Sequence, residues 1–207
     1  MNLTVIALSA VKEKMSASNF QLDPDFLPRG MADKYLQQLL NDIEWRQDTL
    51  KLYGREHRIP RQHQWYADSG VNYCWSGIKM QPLNWIAPLN RLRERLRKKT
   101  GFVFNSVLAN LYRDGNDSMG WHSDDERELG IEPVIASISL GAERDFHLRQ
   151  KNRGTGKSSG CTRSISLPHG SLLLMSGSSQ RNWQHALPKR RRISEPRINL
   201  TFRLIIT

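Results

Sequence analysis

From Arg197 to Arg203 the chain reads Arg-Ile-Asn-Leu-Thr-Phe-Arg, with polar and apolar side chains alternating without a break. An extended strand puts residues two apart on one face. Ile198, Leu200 and Phe202, continued by Leu204, then form an apolar row, and Arg197, Asn199, Thr201 and Arg203 form a polar one. The pattern admits two readings. Either the strand lies in an ordinary sheet with one wet side, or the polar row lines the inside of a barrel. Inside a barrel, two guanidiniums can hold a dicarboxylate by charge-assisted, fork-like hydrogen bonds. Asn110 and Tyr112, also two apart in a β-type run, can add hydrogen bonds from a neighbouring wall.

The chain after Gly101 suits such a fold. Short β-type runs over 102–112, 134–140, 144–150, 163–167, 171–175 and 197–206 are separated by Asp114-Gly115-Asn116, Gly141, 152–160 and Pro168-His169-Gly170. This texture predicts a sandwich or barrel, with helices earlier in the chain. One helix is expected over 33–43, where Met31, Tyr35, Leu39 and Ile43 repeat every four residues with Leu36 and Leu40 beside them. A second is expected over about 88–99, with Leu89, Leu92 and Leu96 as its buried stripe. Arg91, Arg93, Arg95, Arg97, Lys98 and Lys99 crowd its remainder as a solvated face, and Glu94 stands four residues before Lys98. At 207 residues, one compact domain is expected.

Charge narrows the partners. The 31 Lys+Arg exceed the 20 Asp+Glu by 11, and the isoelectric point is about 10.1. An excess of that size favours polyanions, because neutralised phosphates release condensed counterions, although solubility alone also explains it. Cys74 and Cys161 form no CxxC pair, so neither a disulfide framework nor a structural zinc site is expected. The apolar run Leu3, Val5, Ile6, Leu8 is short and lacks a basic region ahead of it, and no stretch approaches a membrane span. A cytoplasmic monomer is expected. Gly156-Lys157-Ser158 imitates the end of a P-loop, but Lys151 stands where that motif needs a glycine and no helical pattern follows. It is read as a flexible basic loop.

Chemistry concentrates at His122 and Asp124. Two apart on extended chain, an imidazole and a carboxylate leave from the same face and can grip one metal ion. His185 is the best candidate for a third ligand arriving from a distant strand. Two histidines and one carboxylate on one face of an ion leave three positions open, as iron(II) needs for a co-substrate and O2. H-x-D alone is a weak signal among six histidines; His57, His63, His147 and His169 lack such context and are read as surface or packing residues.

Taken together, Asn110-x-Tyr112, His122-x-Asp124-Asp125-Glu126, the distal His185 and the alternating run Arg197–Arg203 resemble the AlkB-type iron(II)/2-oxoglutarate dioxygenases. Arg144-Asp145-Phe146 and His169-Gly170-Ser171-Leu172 extend the resemblance, which is strongest to the duplex-DNA repair branch and runs from about residue 50 to the end. The resemblance implies an α+β, mainly β fold. A double-stranded β-helix (jelly roll) would occupy 101–207, a nucleotide-recognition lid and helix 51–100, and an N-terminal extension with a helix packed on the core 1–50. It further implies iron bound by His122, Asp124 and His185. Asn110, Tyr112, Arg197, Thr201 and Arg203 would bind 2-oxoglutarate, with Asn199 close by. The implied reaction consumes 2-oxoglutarate and O2, yields succinate and CO2, and hydroxylates N-methyl groups of 1-methyladenine or 3-methylcytosine, which are lost as formaldehyde.

A base must leave the duplex to reach the metal. Val71, Tyr73 and Trp75 share one strand face in the lid region. By the same resemblance Trp75 stacks on the flipped base and Tyr73 contacts the nucleotide; as plain core aromatics they would do neither. Stacking on an aromatic offsets about 1–3 kcal/mol per base. By the same resemblance Tyr53-Gly54 stands where the branch carries an aromatic finger; Tyr53 replaces the expected phenylalanine, a ring that could still act as the wedge but that weakens the expectation of a duplex preference. Glu126, or Asp125 beside it, would read the exocyclic amine. Lys189, Arg190, Arg191 and Arg192 follow His185 closely and are read as phosphate contacts, joined by Arg149, Lys151, Arg153 and Lys157. Two alternatives remain: a non-catalytic nucleic-acid-binding module, and the same chemistry applied to RNA or protein.

Overall fold

The computed structural model describes residues 19–52, 55–71, 73–75, 78–80, 82–151 and 158–206. In chain order the first strands are β1 (Phe20–Asp23), β2 (Thr49–Leu52), β3 (Arg55–Arg58), β4 (Gln62–Ala67), β5 (Tyr73–Trp75) and β6 (Ile78–Met80). There follow β7 (Ser106–Tyr112), β8 (Met119–His122), β9 (Ile135–Gly141) and β10 (Arg144–Lys151). The last are β11 (Ser158–Leu167), β12 (Leu172–Met175), β13 (Trp183–Leu187) and β14 (Arg197–Arg203). Three α-helices intervene: α1 (Arg29–Asp42), α2 (Ala87–Thr100) and the single turn α3 (Ser179–Asn182).

The strands form a double-stranded β-helix. Its larger sheet has the order β1-β12-β9-β14-β7-β4, its smaller sheet β11-β10-β13-β8, and β2-β3 and β5-β6 make separate hairpins. The pairings within both large sheets are antiparallel. β14 lies inside the larger sheet, bonded to β7 on one side and β9 on the other. Its apolar row, Ile198, Leu200 and Phe202, is fully buried in one cluster with Leu39 of α1 and Leu89, Leu92 and Leu96 of α2. The helices therefore cover the outer face of the larger sheet. The polar row of β14 turns to the cavity between the sheets.

Helix α2 matches its pattern. Pro88 sits in the first turn, where its missing N–H costs nothing, and Gly101 closes the helix at φ 75°. Its charged face is mostly solvated, with two exceptions. Arg93 stacks on Trp85 at 4.3 Å and pairs with Asp68 at 2.6 Å, and Arg95 donates to the Phe26 carbonyl at 3.1 Å. Helix α1 starts at Arg29, four residues earlier than expected, behind Pro28. Ala32 then turns inward and Met31 is left 38% exposed, outside the buried stripe.

Several strand limits are corrected. The run expected over 102–112 becomes β7 only from Ser106, because Asn105 uses its side chain to hold the Ile205 backbone, at 2.8 Å and 2.7 Å. The C-terminal run ends at Arg203. Beyond it the Ile206 N–H donates to the Glu128 carbonyl at 2.8 Å, so Leu204 leaves the apolar row and is 45% exposed. β1, β4, β8 and β13 carry no clear alternation and were not expected. β5 covers Tyr73–Trp75, and Val71 precedes it, buried. Tyr53, Gly54, Arg153, Lys157 and the glycine-lysine part of the P-loop imitation lie outside the described residues. No helix among the described residues is long and apolar enough to cross a membrane.

Because Leu200 is sealed between sheet and helices, Leu200→Ala should cost about 2–5 kcal/mol in urea unfolding, and Leu204→Ala no more than about 0.5 kcal/mol.

Candidate active site

The antiparallel pairing of β8 with β13 puts His122 directly opposite His185, 63 residues away in sequence. Their Nε2 atoms are 3.1 Å apart. The Nδ1 of His122 lies 2.9 Å from the Gly120 carbonyl, which can only accept, so Nδ1 carries the proton and Nε2 offers its lone pair to the cavity. Asp124, two residues on, brings Oδ1 to 3.6 Å from the same Nε2. The three ligand atoms lie within 4.8 Å of one another. Ligands about 2.1 Å from one ion and at right angles are about 3 Å apart, so the set fits one ion with three cis positions occupied by protein.

Protonation favours the same role. Burial pushes His185 down to about 3, helped by its neighbour His122, and burial lowers His122 as well against the pull of Asp124. Both rings are therefore neutral ligands near neutral pH. Burial, the largest single influence, would raise the Asp124 carboxyl, but the Arg203 guanidinium together with His185 and His122 outweighs it and holds the group well below the usual carboxylate range. Arg203 donates to Asp124 Oδ2 from Nη2 at 2.8 Å and from Nε at 3.3 Å. On the other side of Asp124, its backbone N–H donates to the Gln180 side-chain oxygen at 2.9 Å. The Ser123 hydroxyl reaches the Trp183 carbonyl at 2.9 Å, so the two ligand-bearing segments brace each other.

The other end of the polar row carries a different charge. Arg197 is 2% exposed, its Nη2 donates to Ser139 Oγ at 2.9 Å, and the Tyr112 ring centre lies 5.4 Å away. Its Nε has no hydrogen-bond partner, and no carboxylate among the described residues pairs with it. Burial pushes it down to about 10, still protonated near neutrality. A buried guanidinium without a counter-charge is costly, and a carboxylate ligand is the chemistry that would relieve it. Asn110, Tyr112, Asn199, Thr201 and Arg203 line the same cavity as the triad. Asn199 donates to Ser137 Oγ at 2.7 Å and accepts from the Thr201 hydroxyl at 3.0 Å.

Sequence reasoning missed part of this wall. Ser137 and Ser139 alternate with Ala136 and Ile138 in β9, a signal of the same kind as that in β14. Arg61, buried to 3%, donates to Asn110 Oδ1 at 2.8 Å and fixes that amide, yet nothing in its sequence context announces it. Among the substrate candidates, Asp125 pairs with Lys151 at 2.9 Å, which engages a lysine expected to face phosphate. Glu126 immediately precedes the 3-10 turn Arg127–Leu129 without a side-chain capping bond, and Tyr73 and Trp75 stand two apart in the β5–β6 hairpin. Arg149 stacks over Trp121 at 4.3 Å, and Arg190 binds Asp145 at 2.7 Å.

A sequence model described as the 2OG-Fe(II) oxygenase superfamily matches residues 19–203. The chain belongs to that superfamily. Fe(II) and 2-oxoglutarate are the metal and co-substrate that this superfamily's description names, and the His122, Asp124 and His185 set fits such a metal. It is 42% identical over 180 residues to the DNA oxidative demethylase ALKBH2 of Bos taurus, covering 84% of this chain and 65% of that one. It is 43% identical over 188 residues to the alpha-ketoglutarate-dependent dioxygenase alkB homolog 3 of Homo sapiens, covering 89% of this chain and 65% of that one. The chain thus spans about two-thirds of the length of these relatives. A prolyl hydroxylase from Trichoplax adhaerens, solved with a hypoxia inducible factor peptide fragment, superposes with a TM-score of 0.57 at 14% identity over 97% of this chain and 90% of that one. That likeness concerns the fold alone.

Removing one member of the Arg203–Asp124 pair strands a buried charge, whereas removing both does not. Arg203→Met should cost about 3–5 kcal/mol in urea unfolding of the metal-free protein, and adding Asp124→Asn should recover part of that loss.

Proposed function

We propose that this oxygenase removes N-alkyl damage, 1-methyladenine and 3-methylcytosine, from DNA. The observation that carries the reading is the buried, uncompensated Arg197 guanidinium in one cavity with the His122, Asp124 and His185 cluster. A module that only bound nucleic acid would have no use for a buried cation aimed at a carboxylate. The names of the relatives, both above 40% identity, support an alkylated base as substrate, and the net charge of +11 suits its polyanionic carrier.

In this reading His122 Nε2, Asp124 and His185 Nε2 hold the iron. Arg197 grips one carboxylate of 2-oxoglutarate, with Tyr112, Thr201 and Asn199 around it, and Asn110 is kept in place by Arg61. Arg203 lines the cavity beside Asp124 and holds its Oδ2, so it sets the ligand's charge and orientation while facing the co-substrate. Fe(II), when bound, supplies the O2 chemistry that couples decarboxylation of 2-oxoglutarate to hydroxylation of the N-methyl group. The protein's residues orient the partners and exclude water. By the family resemblance Trp75 and Tyr73 would meet an extruded base, and Tyr53-Gly54 would be the wedge. Because Lys151 already engages Asp125, Glu126 is favoured for the contact to the exocyclic amine. Lys189, Arg191 and Arg192 would contact the phosphates.

With Fe(II) and 2-oxoglutarate, 1-methyladenine or 3-methylcytosine DNA should release formaldehyde with one succinate per repaired base. His122→Ala and Asp124→Ala should abolish both products. Arg197→Met should weaken 2-oxoglutarate binding at least about tenfold while sparing Mn(II) binding. Methylated duplex, single strand, RNA and peptide compared side by side identify the substrate. Faster turnover on peptide or RNA than on either DNA would overturn the assignment to DNA.

A further inference from the structure

The basic run after His185 does not act as one unit. Arg190 is half-buried, with its Nη2 2.7 Å and its Nε 2.8 Å from Asp145 Oδ2, and Nη2 also 3.2 Å from His147 Nε2. Lys189, Arg191 and Arg192 are exposed and make no ion pair among the described residues. One arginine anchors the loop and three cations project from it.

What holds that loop is the turn between β7 and β8. The Arg190 N–H donates to the Gly115 carbonyl at 2.7 Å, and the Gly115 N–H donates to the Ile193 carbonyl at 2.8 Å. The Ile193 N–H returns to the Arg190 carbonyl at 2.9 Å. The two backbones lie so close that a Cβ on Gly115 would stand 1.7 Å from the Arg190 carbonyl oxygen. Glycine is required there by contact rather than by its dihedral freedom. Beneath this junction Arg144, 2% exposed, spends its guanidinium on three carbonyls: Asp114 at 3.2 Å, Asp117 at 2.9 Å and Pro188 at 2.7 Å. The first two belong to the turn and the third to the base of the loop. Arg113 closes the turn by a two-pronged bond to Asp117, and the Ser118 N–H ties it to the Pro60 carbonyl at 2.9 Å, next to Arg61.

We infer that Gly115 and Arg144 are positioning residues for substrate binding: they clamp the 188–193 loop to the β7–β8 turn so that Lys189, Arg191 and Arg192 meet the nucleic-acid backbone as a rigid set. Fixing the loop in the free protein removes the ordering cost from association, so the clamp strengthens phosphate contact without touching phosphate itself. The inference rests on the proposed function, in which those three cations contact DNA. Neither residue touches the metal ligands; Arg144 stands 5.8 Å from the Tyr112 ring centre and acts on Arg197 through its charge, which a lysine preserves, so Gly115→Ala and Arg144→Lys should leave iron and 2-oxoglutarate binding in place.

The test compares Gly115→Ala, Arg144→Lys and a triple variant, Lys189→Ala with Arg191→Ala and Arg192→Ala. Arg144→Lys keeps the buried charge but cannot reach three carbonyls at once. Duplex-DNA binding is measured across a salt series, alongside Mn(II) and 2-oxoglutarate affinities and kcat and KM on methylated duplex. Each lost phosphate contact lowers the slope of log K against log salt by about 0.9. Both clamp variants should flatten the slope by about one to three contacts and raise KM about tenfold, with kcat, Mn(II) and 2-oxoglutarate affinities retained. An unchanged slope in the clamp variants, with a flattened one in the triple variant, would overturn the clamp and leave the loop's DNA contact standing. An unchanged slope in the triple variant would overturn that contact itself. Loss of Mn(II) and 2-oxoglutarate binding in both clamp variants would also overturn the inference, because the junction would then hold the whole site.

Discussion

The structure hangs on β14 being paired on both edges. Paired with β7 from Arg197 to Arg203 and with β9 from Arg197 to Phe202, the strand has no freedom to slip. A one-residue slip would exchange its two faces, sending Arg197 and Arg203 among the leucines of the helices and Ile198, Leu200 and Phe202 into the cavity. The buried apolar row makes that exchange prohibitively costly. Burial on one face therefore dictates where the charges on the other face stand.

Those charges do opposite work at the two ends of one row. Arg203 is compensated inside the protein by Asp124, and the pair fixes the ionised state and orientation of a candidate metal ligand. Arg197 is left without a carboxylate among the described residues, in a place that water does not reach freely. The fold holds one arginine as structure and the other as an unmet demand for an anion. A site that stores such a demand is pre-organised for its ligand, and the stability it gives up in the free protein is returned when the ligand arrives.

The smaller sheet contributes register rather than charge. His122 and His185 meet because β8 and β13 pair in one alignment, and Gln180 and Ser123 cross-link the segments that flank them. The same sheet carries Asp145 and His147, which receive Arg190 and so join the candidate metal site and the basic loop in one rigid frame. Metal binding and nucleic-acid binding then draw on a common scaffold while using separate side chains.

Local pattern was enough for much of this. Alternation at Arg197–Arg203 showed a two-faced strand, the leucine stripe showed α2, and the H-x-D spacing showed two side chains leaving together, because strand and helix periods are properties of the backbone itself. His185 was a candidate third member from its residue type alone; resemblance strengthened it and chose between the wet sheet and the barrel. The roles of Arg61, Gln180, Gly115 and Arg144 were not legible, nor were β8 and β13 as strands. Their roles consist of contacts with residues tens of positions away, and no period of 2 or 3.6 encodes a partner. Which arginine would find a carboxylate was likewise settled only when antiparallel pairing brought Asp124 to one end of the row and none to the other. Composition and spacing determine which way a side chain leaves the backbone; what it meets there is decided by the closing of the sheets.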